Sequence, residues 1–304
     1  MAFTAPEHGF RGVFPAVTTQ FHADESLNLP ALRAHLDRLL QAGVQGFVML
    51  GSLGENNSLE PAEKAEIVRC AVEVSAGRVP VVAGVSELST TKAIRHVQAM
   101  RDAGATGLMV MPAMVYPADR REAHAYFRAV AAATELPIIL YNNPLAYPVD
   151  LRPHDLAELA DEPKFVAVKE SSGDPRRFTD IVNLLGDRYT LMAGVDDLAL
   201  ECGILGAQGW IAGVGLAFPE ENQYLWNLMQ AGRWEEARQL YRWLTPALHL
   251  DVGPKFVQCI KLLIQEVGLG AEWVRAPRLP LAGSEREQAL AVIAETLRTR
   301  PNLP

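Results

Sequence analysis

A short pattern recurs three times in this chain: AGVQGFVMLG from Ala42, AGATGLMVMP from Ala103 and LGAQGWIAGV from Leu205. Each reads as a helix-ending glycine, a two-residue turn, a second glycine and an apolar strand. A helix feeding straight into a buried strand, over and over, leaves few folds open, because strands alternating with helices imply a parallel sheet. About eight such apolar runs can be marked, at 12–19, 46–51, 80–85, 107–112, 137–143, from 165, 189–195 and 209–214. Between them lie helical patterns. Leu32, Leu36, Leu39 and Leu40 share a face before Gly43; Pro61 opens a helix carrying Ile67, Ala71 and Val74; another runs from about Ser89 to near Gly104. An open doubly wound sheet shows the same alternation, but eight regular units favour closure into a (β/α)₈ TIM barrel. The expected barrel spans residues 1–217 and closes with its last helix to about 231. No strand is expected after Pro219. The stripe of Phe256, Ile260, Leu263, Ile264 and Val267 marks residues 232–304 as a C-terminal helical extension packed on the barrel.

The sixth run continues as FVAVKESS from Phe165. Its apolar start has the character of a strand buried on both faces, and Lys169 arrives at its carboxyl end. Asp174-Pro175 then offers a helix N-cap and a first-turn proline. Barrel enzymes place catalytic side chains at this kind of junction. A lysine in apolar surroundings loses solvation, which favours the neutral amine, and that form can attack a carbonyl to make a Schiff base. The plainer alternative is a strand that ends and a charge that meets water.

If the barrel closes, every strand's carboxyl end faces the same side, and further candidates converge there. The second strand delivers Gly51-Ser52-Leu53-Gly54-Glu55, where Ser52 and neighbouring N–H groups could hold a carboxylate; a tight glycine turn is the competing account. The fifth delivers Tyr141-Asn142-Asn143-Pro144, with Tyr141 either a proton relay near Lys169 or an amphipathic core residue. The seventh brings Gly194, Asp196 and Asp197. The aspartates either bond substrate hydroxyls or cap a helix. The eighth brings Gly213-Val214-Gly215, which also fits a turn.

The remaining chemistry is sparse. Seven histidines show no HxH or HExxH spacing, and no GxxxxGK[ST] phosphate loop occurs, so no metal and no cofactor is expected. His35, His96 and His124 fall in helical segments and read as surface or half-buried residues. Cys70, Cys202 and Cys259 lie far apart, as free thiols in a reducing compartment do. A net charge of -8 argues against nucleic acid or an acidic membrane as partner. With no signal-peptide pattern and no apolar run long enough to span a bilayer, a cytoplasmic protein is expected.

GVFPAVTT, GSLGE followed by Leu59, YNNP and VAVKES, in this order, resemble the dihydrodipicolinate synthase / N-acetylneuraminate lyase family, over roughly residues 12–267. The resemblance implies a barrel with a helical extension, usually a homotetramer, and a small-molecule 2-oxo or 2-imino acid substrate. It also implies a Schiff base at Lys169, Tyr141 as proton shuttle, and the GSLGE turn as carboxylate receptor. Three departures bear on activity. Synthase-type members carry a second hydroxyl residue where Leu53 stands, a tyrosine reaching a neighbouring subunit where Met114 stands, and an arginine where Ala146 stands. Tyr116 is a candidate replacement for that tyrosine. The lyase branch has an Asp-Glu pair where this chain has Asp196-Asp197. GSLGEN, AGVDDLALE, DVGPKFVQ and VRAPRLPL are most similar to the 1-pyrroline-4-hydroxy-2-carboxylate deaminases of hydroxyproline breakdown. The activity implied is therefore a Schiff-base deaminase giving 2-oxoglutarate semialdehyde and ammonia. The alternatives are a sugar-acid aldolase, lyase or dehydratase, or a 4-hydroxy-tetrahydrodipicolinate synthase.

Overall fold

The computed structural model describes residues 10–112 and 116–303. Eight parallel strands form one sheet: β1 (Gly12–Pro15), β2 (Phe47–Met49), β3 (Val81–Val85), β4 (Gly107–Val110), β5 (Ile138–Asn142), β6 (Phe165–Glu170), β7 (Thr190–Ala193) and β8 (Gly209–Ala212). The ladder runs β1-β8-β7-β6-β5-β4-β3-β2. The gap between β1 and β2 is closed by an Ala16–Val48 bridge and by the Val17 and Gln45 amides, which donate to Val48 and Val13 carbonyls at 2.8 and 2.9 Å. The sheet is thus a (β/α)₈ TIM barrel.

Eight helices alternate with the strands: α1 (Leu29–Gln41), α2 (Pro61–Ser75), α3 (Thr90–Asp102), α4 (Arg120–Ala132), α5 (Pro153–Glu158), α6 (Arg176–Leu185), α7 (Ala199–Ile204) and α8 (Pro219–Gln230). Several begin where a side chain satisfies their first amides. Asn28 caps α1, Ser89 caps α3, and Asp119 with Glu122 forms a reciprocal capping box on α4. Asp174 accepts from the Arg176 amide at 3.1 Å, and Pro175 sits one position before the helix rather than inside it. Three more helices follow: α9 (Trp234–Leu248), α10 (Phe256–Glu266) and α11 (Gly283–Arg298). Among the described residues no helix is long and apolar enough to cross a membrane.

Two histidines lie deeper than helical position alone indicates. His35 is 1% exposed, with Nε2 against the Leu216 carbonyl at 2.8 Å. His96 is also buried, with Nε2 2.9 Å from the Gly84 carbonyl. Both serve helix-to-barrel packing: His35 meets a carbonyl in the turn after β8, and His96 meets one within β3 that also accepts from Asn56 Nδ2 at 3.2 Å.

Candidate active site

Strand register brings the central pair together. Tyr141 on β5 is the direct partner of Lys169 on β6, and Asn142 is the partner of Glu170. Successive side chains on a strand point to opposite faces. One couple therefore enters the barrel mouth while the other faces the helices. Outside, Glu170 accepts from Asn142 Nδ2 at 3.0 Å and from the Ser172 amide at 2.6 Å. Asn142 also receives the Leu151 amide at 2.8 Å and reaches Asp150, which Arg177 grips through both of its terminal nitrogens. This network fixes the strand ends from behind.

Inside, the Lys169 ammonium lies 4.3 Å from the centroid of the Tyr141 ring. Both residues are buried. Lys169 has no hydrogen-bond partner among the described residues. Burial lowers its pKa, opposed by the neighbouring acidic groups of Asp251, Tyr147 and Asp196. Burial raises the pKa of Tyr141, opposed by the bond its hydroxyl accepts from Asn143 Nδ2 at 2.9 Å. Gly194, just after β7, makes the lysine's position possible: a Cβ there would lie 2.8 Å from Lys169 Cγ and Cε and 2.0 Å from Ser171 Oγ.

These groups open on a cavity of about 590 Å³ that is also lined by Ser52, Leu53, Gly194 and Gly213. The GSLGE turn is held in strained geometry, with Leu50 at φ 59° just before it and Glu55 at φ 56° at its end. Asn56 pins it by donating to the Leu50 carbonyl at 2.7 Å. The Ser52 and Leu53 amides have no protein acceptor among the described residues, which leaves them open to an anion. Ser52 Oγ contacts the Tyr147 hydroxyl, and the Tyr147 ring stands edge-on to Tyr141 at 5.8 Å. Burial pushes the Tyr147 pKa up to about 12.

The two aspartates after β7 do not line this cavity. Asp196 is fully buried and accepts from Trp210 Nε1 at 2.9 Å, the Gly213 amide at 3.0 Å and the Val214 amide at 2.7 Å. Asp197 pairs with His249 Nδ1 at 2.9 Å. Both carboxylates are committed to the protein. Other polar residues line the cavity instead, among them Tyr147, Asp251 and Arg278. Tyr147 lies six residues beyond Tyr141, while Asp251 and Arg278 stand in the DVGPKFVQ and VRAPRLPL stretches; nothing local marks them as facing Lys169. Tyr116 is half exposed and bonds Glu122; it is not part of the cavity lining. Met114 lies outside the described residues. No group of three His, Cys, Asp or Glu side chains able to hold a metal occurs among the described residues.

Fold and site together define a class: (β/α)₈ barrels built around a desolvated amine at the end of β6, the form of lysine that condenses with carbonyl groups. The dihydrodipicolinate synthetase family model matches residues 9–296. A 4-hydroxy-tetrahydrodipicolinate synthase of Sorangium cellulosum is 36% identical over 293 residues, covering 94% of this chain and 95% of its own. One from Xanthomonas campestris is 34% identical, covering 96% and 98%. A prophage protein of the dihydrodipicolinic acid synthase family from E. coli K12, solved in complex with pyruvate, superposes with a TM-score of 0.89 at 28% identity, over 95% of this chain and 99% of its own. The chain belongs to the dihydrodipicolinate synthetase family, whose members are Schiff-base lyases acting on small molecules.

Proposed function

We propose that Lys169 forms a Schiff base with a 2-imino or 2-oxo acid, and that the reaction is deamination of 1-pyrroline-4-hydroxy-2-carboxylate to 2-oxoglutarate semialdehyde and ammonia. The observation that carries the covalent step is the buried, unpartnered amine of Lys169 over the Tyr141 ring. Its neutral form adds to the ring imine at C2 and expels the ring nitrogen as an amine. The resulting iminium acidifies C3–H, whose proton Tyr141 moves, and the 4-hydroxyl then leaves. The far carbon passes through an enamine to an imine; hydrolysis there releases ammonia, and hydrolysis of the Lys169 imine frees the product. The open amides of Ser52 and Leu53 receive the single carboxylate. The apolar Leu53 and Ala146 side chains at the cavity favour a substrate without a second carboxylate.

A second reading, 4-hydroxy-tetrahydrodipicolinate synthase, is favoured by the names of the curated relatives. Both readings pass through a Lys169 adduct, so ammonia separates them. Purified protein given the pyrroline should release ammonia, and borohydride added during turnover should leave a stable mass increase on the peptide containing Lys169. A label on Lys164 or Lys255, or synthase activity without ammonia release, overturns the deaminase proposal. A homotetrameric, cytoplasmic enzyme belongs to the same proposal; light scattering in solution tests the assembly.

A further inference from the structure

We propose that Asp251 is the acid that protonates the departing hydroxyl, a role that rests on the deaminase reading above. Asp251 ends the short turn His249–Asp251 that follows α9, and it reaches back over the mouth of the barrel. Its carboxyl group packs against the backbone after β8. A Cβ on Gly213 would lie 2.5 Å from its Oδ1 and 2.6 Å from its Oδ2, so only glycine leaves it room. Oδ1 is sealed from solvent and has no hydrogen-bond partner among the described residues. Buried polar groups without partners are rare in folded proteins, and a charged one is far more costly than a neutral one.

The charged groups facing Asp251 are Lys169, Asp196 and Asp197. Asp196 has three donors of its own and Asp197 has His249, so neither needs the Asp251 proton. Burial, then the Asp196 charge, raises the Asp251 pKa well above the carboxylate range, against the pull of Lys169. Asp251 therefore holds its proton more readily than an exposed carboxyl group, its Oδ1 has no hydrogen-bond partner among the described residues, and it lines the cavity that contains Lys169.

Such a donor suits one step of the route. Once C3–H has been lost, the electrons of the C2–C3 enamine form the C3–C4 double bond and restore the Lys169 iminium, and the C4–O bond breaks. Hydroxide is a poor leaving group; with the Asp251 proton it departs as water. The carboxylate left behind regains a proton when C5 gives one up on the way to the far enamine. No oxidant, reductant or co-reactant is needed.

The test uses Asp251→Asn, which keeps shape and polarity but cannot transfer a proton. Borohydride trapping with pyruvate should label Lys169 as in the parent, showing an intact site. Exchange of C3–H with deuterated solvent should continue, while ammonia release from the hydroxypyrroline falls by about 100-fold or more. The 4-chloro analogue loses chloride without prior protonation, so the variant should turn it over within a few-fold of the parent. Asp251→Ala gives an independent reading, with added formate restoring ammonia release. Parental ammonia release by Asp251→Asn, an equal loss on the chloro substrate, or no rescue by formate overturns the assignment. If the parent enzyme itself traps pyruvate but releases no ammonia from the pyrroline, the deaminase reading falls and takes this role with it.

Discussion

At the scale of single residues, the site depends on what is absent beside Lys169. Gly194 matters for its missing side chain, because Lys169 and Ser171 occupy the space a methyl group would need. Gly194→Ala should fold, since the barrel ladder is untouched, but should push the amine off its position over the Tyr141 ring. Misplacement of a reacting group by about 1 Å can lower a rate by about 100-fold. The expected result is a near-normal circular dichroism spectrum with borohydride trapping slowed by about that factor. Trapping at the parental rate would show that the lysine has room the structure does not give it.

At the scale of elements, the feature that ties the C-terminal helices to the catalytic end of the barrel is Glu55, the last residue of the GSLGE turn. Its side chain and that of Lys261 on α10 are both 0% exposed, and the pair is 2.5 Å apart. Lys261 also donates to the Trp273 carbonyl at 2.6 Å, and Glu55 receives the Arg275 amide at 3.0 Å. Arg278, which lines the cavity, stands 3.8 Å from the same carboxylate. Burial pulls the Lys261 pKa down to about 8, with Glu55 opposing. Removing one member of such a pair strands the other, at a loss of roughly 3–5 kcal/mol. Glu55→Gln retains an acceptor and should fall at the lower end, read as a reduced urea midpoint. Glu55→Leu combined with Lys261→Met should recover much of that loss, because no charge is then left buried. A double variant no better than the single one would mean that the pair acts through its other bonds.

At the scale of the whole molecule, pH should act on stability through buried groups of opposite sign. His35, fixed between α1 and the barrel, has its pKa lowered by burial to about 4 from 6.5. As pH falls, the unfolded chain takes up this proton first. Stability from this group is thus present above 6.5 and lost as pH drops towards 4. The shift corresponds to roughly 3 kcal/mol. Asp196 works in the other direction: burial raises it to about 6, so the folded state takes up its proton first and gains as pH falls. Asp251 has the same sign. The parent curve is a sum, and a difference is the clean measurement. His35→Gln, able to bond the Leu216 carbonyl, should lose less melting temperature than the parent between pH 6.5 and 4. Parallel curves would remove His35 from the acid response.

The alternation of apolar runs with helix signals was enough for the barrel, because a strand buried on both faces, entered and left by helices, has few ways to cover itself. The strand-end positions of Lys169 and Tyr141 followed from the same pattern, since a barrel turns every strand's end to one side. Tertiary structure alone decided which polar groups reach the cavity. Asp196 and Asp197 stand at a strand end, yet their carboxylates bond Trp210, backbone amides and His249. Asp251 and Arg278 come from segments far along the chain that return over the barrel mouth. Local sequence determines a residue's place on its strand or turn; whether its side chain meets the cavity or a partner depends on contacts across many residues, as between Glu55 and Lys261.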